Sequence, residues 1–415
     1  MNLFKYNRHW EKGFLYPYKK HRFIFNTLIK ELDSKQIVEI SGLRRTGKTT
    51  LLFQVLNYLI NQKRNPFSLL YFTFDEEKLL LDELINDFSK QTQIDFKKEK
   101  IFIFLDEIQK LPDFQNQLKI YYDLYPNLKF FISGSTSLFI KKKTQESLAG
   151  RIKSLFLTPL CFEEFLAFTD ALDILNNPLV FKTEIEKNFE IFLNSQFIES
   201  ISMADIHSKK DYYVSIIKKI IFEDIPPTFS VSNPEILWQI IRMIAQKPGM
   251  YIDYRNLAND IGISNKTASS YLYYLEESYL VKKLYNFSRN LITSEKKLKR
   301  YYLASPSFSW ALANFVNTSI LVENLAASLK NYQFFWRDPY FHEIDFIDVT
   351  TNNSIVPIEI KYKEKIQAKD IKNLLLFSKK FGCKKAIIFK KGVEKKSTFS
   401  DSPEIEIAEI PIYKI

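Results

Sequence analysis

A chain of 415 residues, 46% hydrophobic and 26% charged, has enough apolar content for packed cores and enough length for two or three domains, which excludes wholesale disorder. Its formal net charge of +11 permits a polyanionic partner without establishing one. Two cysteines, Cys161 and Cys383, and four histidines leave no basis for a disulfide framework or a structural zinc site. Only 9 glycines occur, against a usual share of roughly 7%, so those present are expected where the backbone needs them.

The first residues lack an apolar signal core. The longest uncharged run, Tyr301 to Val322, contains Pro306 and many Ser, Asn and Thr, which makes a poor membrane span. A soluble, cytoplasmic protein in a reducing compartment is the expectation. Residues 23–32 have helical spacing. Residues 36–40 (QIVEI) read as a buried strand, followed by SGLRRTGKTT and a helical LLFQVLNYLI. Residues 68–74, 101–107 and 129–135 are further apolar strands with helical stretches between them. That alternation predicts an α/β fold with a parallel sheet covered on both faces. From Pro159 to Pro227 the pattern is helical and glycine-free, and Pro226-Pro227 reads as a boundary. Residues 234–290 read as helix, helix, turn, helix, hairpin, and 301–415 as a mixed α/β tail.

Gly42-Leu43-Arg44-Arg45-Thr46-Gly47-Lys48-Thr49, with Thr50 behind it, fits the phosphate-loop pattern G-x-x-x-x-G-K-[ST] between a strand and a helix. Backbone N–H groups of such a loop wrap the phosphates of ATP, and the helix N-terminus adds its positive end. Lys48 reaches the β- and γ-phosphates, and Thr49 ligates Mg²⁺. Ile101–Glu107 is an apolar strand ending in two carboxylates at the sheet edge where ligands bind. Asp106 is expected to hold Mg²⁺ through water, and Glu107 to orient or activate the attacking water. Ser135, with Ser133 as the alternative, is placed to sense the γ-phosphate. Arg151 either completes a neighbouring subunit's site or makes a structural ion pair.

GLRRTGKTT (42–50), FLDEIQ (104–109), FFISGSTS (130–137), SLAGRI (147–152) and LTPLCFEEF (157–165) together resemble the AAA+ ATPases widespread in archaea and some bacteria. Basic residues near the start, Lys20 and Arg22, also resemble that family. The resemblance implies an AAA+ P-loop core at 1–158, a helical lid at 159–230, a winged helix at 231–300 and a restriction-endonuclease-like domain at 301–415. It implies a Mg²⁺-dependent ATPase acting on or positioned by DNA; whether the chain forms a homo-oligomer stays open, and no membrane partner is expected. The alternative is an ATP-dependent regulatory switch with a non-catalytic recognition tail. One departure stands out. The family's lid carries a Gly-Gly-Phe-Pro-like turn, whereas Ser195-Gln196-Phe197-Ile198-Glu199 has neither glycine nor proline.

In the winged-helix stretch, Gly262 ends one helix and Ser264 caps the next. Leu257, Ile261, Ala268, Leu272 and Leu275 carry core spacing. The second helix offers Asn265, Lys266, Ser269 and Tyr273 to DNA or, alternatively, packs on protein. Tyr279–Val281 and Lys296, Lys297, Lys299 and Arg300 are expected to form a basic wing. In the tail, Glu323, Asp345, Glu359 and Lys361 resemble a PD-(D/E)xK nuclease constellation. Glu359 and Lys361, two apart on a strand, share a face, and Thr351–Ser354 makes the preceding turn. The bland reading is a set of strand charges, and the outcome turns on hairpin register. Lys361, Lys363, Lys365, Lys369 and Lys372 read as a solvated helix face more than a phosphate track.

Overall fold

The computed structural model describes the whole chain except residues 78, 136–147, 351–353, 393 and 400–401. It divides into two compact units, Met1–Thr158 with Glu277–Tyr279, and Pro159–Glu276 with Leu280–Ile415.

The first unit holds strands β1 (Ile37–Ser41), β2 (Leu69–Thr73), β3 (Ile101–Asp106), β4 (Leu128–Gly134) and β5 (Ile152–Phe156). They form one sheet in the order β2-β3-β4-β1-β5, every pair parallel. Helices α1 (Lys48–Asn61), α2 (Leu81–Thr92) and α3 (Phe114–Leu124) connect the strands. Strands β1, β3 and β4 are buried along their whole length, as near-continuous apolar runs in a covered parallel sheet should be. Strand β5, absent from the sequence expectation, is an edge strand with Lys153 and Ser154 in its middle, so it carries no apolar run. The opposite edge, β2, is covered by the chain's first residues. The Asn7 side chain donates to Tyr71 O (3.1 Å) and accepts from Tyr71 N (2.7 Å), a side-chain mimic of a missing neighbour strand. Trp10 Nε1 donates to Leu69 O at 3.0 Å, and His9 Nε2 lies at the same distance from it.

The second unit is built on a nine-stranded mixed sheet. Its strands are β6 (Met250–Ile252), β7 (Val281–Asn286), β8 (Lys299–Leu303), β9 (Phe334–Arg337), β10 (Glu343–Val349), β11 (Ile355–Lys361), β12 (Lys385–Lys390), β13 (Lys395–Phe399) and β14 (Ser402–Pro411). Their order is β13-β14-β12-β11-β10-β9-β7-β8-β6. The wing hairpin β7–β8 and the tail strands are joined by a parallel pairing, Tyr285 to Phe334 and Asn286 to Phe335. The domain boundary expected at residue 300 therefore falls inside β8, with no linker composition there to break the sheet.

Helices α4 (Tyr254–Ile261) and α5 (Asn265–Glu277) precede the wing, and α6 (Thr318–Leu329) and α7 (Ala368–Phe381) pack in the tail. Gly262 ends α4 with φ +77°, and Ser264 Oγ accepts from Thr267 N at 3.0 Å at the start of α5. The segment expected as a lid, helices Phe162–Phe168 and Lys182–Phe192, shares one core with Phe346 of β10 and Ile358 and Ile360 of β11. Pro226 and Pro227 do not interrupt the chain; they lie in the short helix Ile225–Phe229, which continues directly from a π-helical turn at Ile220–Asp224. Within Ser195–Glu199, Ser195 and Gln196 are fully buried, and Gln196 accepts a hydrogen bond from Ser305. No helix among the described residues is long and apolar enough to cross a membrane.

Candidate nucleotide site and a buried charge cluster

Strand β1 ends at Ser41, and the chain turns through Gly42 to Gly47 before α1 begins at Lys48. Gly42 is required sterically, since a Cβ there would stand 2.4 Å from Leu157 O. Gly47, at φ +97°, is the left-handed residue that starts α1. Thr46 Oγ1 donates to Leu43 O at 2.8 Å, tying the loop to itself. Arg22 holds the loop from outside, with Nη1 donating to Thr46 O and Nη2 to Thr158 O, both at 2.9 Å. Lys20 contributes a carbonyl, which accepts from Gln54 of α1 at 2.7 Å. The buried Lys48 Nζ donates to Gly42 O (2.9 Å) and Leu43 O (3.0 Å), so its charge rests on carbonyl dipoles inside the loop. Arg45 is exposed, and Arg44, Thr49 and Thr50 are half-buried.

Beside the loop, Thr49 Oγ1 donates to Asp106 Oδ2 at 2.5 Å. Asp106 also accepts from Tyr71 OH at 3.2 Å, from the backbone N of Glu107 at 3.2 Å and from Ser133 Oγ. Burial, reinforced by the Asp106 charge, raises the Tyr71 phenol, which keeps it a donor. Glu107 stands in the left-handed region at φ +52°, a strained position for a non-glycine residue. Ser135 Oγ donates to Glu107 Oε2 at 3.2 Å, and the Gln109 amide donates to the same oxygen and, at 3.1 Å, to Ser135 Oγ. Burial raises the Glu107 carboxyl above its usual range, with the nearby Lys48 pulling it down.

Both serines considered from the sequence thus join the network, Ser133 on Asp106 and Ser135 on Glu107. The oxygen-only pairing of Thr49 with Asp106 suits a hard cation such as Mg²⁺. Tyr71 and Gln109 were not legible as site residues. Tyr71 arrives by sheet register on a neighbouring strand, whereas Gln109 lies only two residues beyond Glu107. Arg151 makes a two-pronged pair with Asp123 of α3 at 2.9 and 3.1 Å and lies over the Tyr122 ring. Its guanidinium is engaged within its own chain, which is the structural alternative weighed above. Thr136 and Ser137 lie outside the described residues.

On α5, Asn265, Lys266 and Tyr273 are exposed and Ser269 is half-buried, while Ala268, Leu272 and Leu275 face the core. Asn265, Ser269 and Tyr273 stand four residues apart on one helical face. The expected wing is altered, since the helix Leu291–Lys296 stands between β7 and β8. Arg300 is buried, because successive residues of β8 alternate faces and Arg300 points to the tail side.

There it meets the four tail residues. Glu323 Oε1 accepts from Arg300 Nη2 and from Tyr302 OH, each at 2.6 Å. Arg300 Nη1 is 4.0 Å from Asp345 Oδ1, and Arg300 Nε donates to Gly249 O at 2.8 Å. Asp345 Oδ2 accepts from Ile360 N at 2.9 Å, and Lys361 Nζ pairs with Glu359 Oε2 at 2.5 Å. The hairpin register pairs Phe346 with Ile358, which sets Asp345 on the Glu359 side of the sheet. Burial pushes Glu359 well above the usual carboxylate range, and the adjacent Asp345 adds to this. Burial alone would lower Lys361, yet the Asp345 and Glu359 charges outweigh it and raise the ammonium. Among the described residues, no group of three or more His, Cys, Asp or Glu side chains is arranged to hold a metal ion. Thr351–Asn353 of the expected turn lie outside the described residues; beyond them Thr350 N donates to Ser354 O at 3.0 Å. Of the lysine stretch, Lys363 pairs with Asp370 at 2.6 Å.

Residues 34–166 match a family described as an AAA domain. Residues 195–319 and 312–413 match two domains of unknown function, DUF8612 and DUF4143. The chain is 26% identical over 370 residues to the uncharacterized protein MJ1544 of Methanocaldococcus jannaschii, covering 85% of this chain and 81% of that one. It is 28% identical over 263 residues to an uncharacterized protein of Haemophilus influenzae, covering 61% and 63% respectively. Among solved structures, AMPPCP-bound DnaA from Aquifex aeolicus aligns with a TM-score of 0.29 at 14% identity, covering 64% of this chain and 93% of that one. The first unit is an α/β fold with a parallel sheet that resembles an AAA-type P-loop core.

Proposed function

We propose that the chain is a Mg²⁺-dependent ATPase that acts on DNA. The observation that carries this reading is the pairing of Thr49 with Asp106 next to a half-buried Glu107 held by Ser135 and Gln109, all beside Lys48. Lys48 exchanges its loop carbonyls for the β- and γ-phosphates, since a charge resting on neutral dipoles transfers readily to an anion. Backbone N–H groups of the loop and the start of α1 bind the remaining phosphate oxygens. Thr49 and Asp106 hold Mg²⁺, which supplies charge neutralisation on the phosphates. Glu107, restrained through one oxygen by Ser135 and Gln109, orients the attacking water with the other.

The exposed α5 face of Asn265, Lys266 and Tyr273, with Ser269, and the net charge of +11 favour DNA as the polymer. The test is ATP turnover with and without Mg²⁺ and with and without duplex or single-stranded DNA. Turnover that needs Mg²⁺, rises with DNA and collapses in Glu107→Gln supports the reading. Turnover indifferent to both DNA and Glu107→Gln overturns it. A second reading, an ATP-dependent switch whose tail recognises without cleaving, is favoured by the cations already paired with the tail carboxylates. Labelled DNA that stays intact with Mg²⁺ or Mn²⁺ supports it, and cleavage that is lost in Lys361→Ala removes it.

A further inference from the structure

The tail carries the residue types that would call for a divalent cation, yet their arrangement does not fit one. Three carboxylates, Glu323, Asp345 and Glu359, converge with two cations, Arg300 and Lys361, from α6, β10, β11 and β8. A divalent cation of this class needs about six oxygen ligands, several of them carboxylate or water. Here one Glu323 oxygen already serves Arg300 and Tyr302, one Asp345 oxygen serves the Ile360 amide, and one Glu359 oxygen serves Lys361.

Arg300 is not a side chain that happens to lean on the acids. Its Nε is fixed by Gly249 O at 2.8 Å, and its guanidinium lies against the rings of Tyr251, Tyr302 and Phe335 at 5.3–5.7 Å. A backbone carbonyl and three aromatic faces therefore locate the charge independently of the carboxylates it meets. Gly249 must remain glycine for this, because a Cβ there would stand 2.9 Å from Arg300 Nη2 and 2.8 Å from the Tyr302 ring. Arg300 falls in the 195–319 match, outside the 312–413 match that contains the carboxylates.

We propose that Arg300 is the resident cation of the tail cluster, held beside Glu323 and Asp345 and keeping a divalent metal from them. The tail carboxylates are then the acidic half of an ion-pair network, and the negative charge that Arg300 balances becomes available to a divalent cation only when Arg300 is removed. This concerns the second unit alone and stands whether or not the first unit turns over ATP.

The test is Mn²⁺ uptake by the full chain carrying Asp106→Asn, which silences the acid of the first unit, read by electron paramagnetic resonance of free Mn²⁺. No saturable uptake is expected in this protein or in its Arg300→Lys derivative. Adding Arg300→Met is expected to create one Mn²⁺ site per chain, and Glu359→Gln on top of that to abolish it. The proposal is overturned if the Asp106→Asn protein already takes up Mn²⁺ and loses it with Glu359→Gln or Asp345→Asn. It is equally overturned if a folded Arg300→Met protein takes up none. Should Arg300→Met fail to fold, Arg300→Gln in the same background takes its place, with one Mn²⁺ site per chain expected and no uptake by the folded protein overturning the proposal.

Discussion

The candidate nucleotide site of the first unit and the charge cluster of the second each carry one surplus negative charge when the groups compared are all ionised. Asp106 and Glu107 stand against Lys48 in one; Glu323, Asp345 and Glu359 stand against Arg300 and Lys361 in the other. The difference is what touches the acids. In the first unit the donors are neutral: the hydroxyls of Thr49, Tyr71, Ser133 and Ser135 and the amide of Gln109. Lys48 donates to the loop carbonyls and acts on Glu107 through its charge. In the second unit cations join the neutral donors: Arg300 stands with Tyr302 on Glu323 and Lys361 on Glu359, while Asp345 accepts from the Ile360 amide. Neutral donors position a carboxylate and leave its charge for a cation to neutralise, whereas a bound guanidinium satisfies geometry and charge together.

That contrast is most exposed to Glu107→Gln. If the neutral donors hold Glu107 for water activation, turnover falls roughly 100-fold or more while nucleotide affinity, measured by equilibrium binding, is preserved. Equal loss of affinity would mean that Glu107 merely shapes the loop. Next in size is Arg300→Met. Leaving the half-buried Glu323 with Tyr302 alone should destabilise the second unit by up to about 3 kcal/mol, measured by urea unfolding, with Arg300→Lys losing less. A neutral result would place the cluster's stability elsewhere.

Acidification should also separate the units. Burial depresses His9, bonded to Leu69 O, to about 4. The unfolded chain then protonates His9 first, so the stability from neutral His9 is complete above about pH 6.5 and is lost as pH falls towards 4. The loss, at most about 3 kcal/mol, should appear as faster amide exchange in β2, and His9→Gln should flatten it. The smallest effect concerns Lys266. Removing one phosphate contact lowers the slope of log affinity for duplex DNA against log salt by about 0.9. An unchanged slope in Lys266→Ala would leave α5 a packing helix.

The candidate nucleotide site could be read because its residues are local in sequence. Gly42 to Thr49 is one continuous loop, and Asp106 and Glu107 end one apolar strand. What sequence reading missed arrives through register or from an edge. Tyr71 reaches Asp106 from β2, and β5 has no apolar run to announce it. The tail shows the same limit. Period-two alternation put Glu359 and Lys361 on one face, as found. Arg300 read as a wing base, because nothing local ties it to Glu323 or to Asp345. The pairing of β7 with β9 is likewise non-local, joining Tyr285 to Phe334, so the stretch after residue 300 looked like a new domain.

That pairing bears on how the chain can be cut. A fragment beginning at residue 312, where the last matched segment starts, would leave β9 without β7 and present a row of bare N–H and C=O groups. Such a strand recruits other chains, so the fragment should aggregate rather than behave as a free-standing module. It would also keep Glu323, Asp345 and Glu359 while discarding Arg300, so any metal chemistry measured on it would be an artefact of the excision. In this molecule the smallest honest piece of the tail includes the wing.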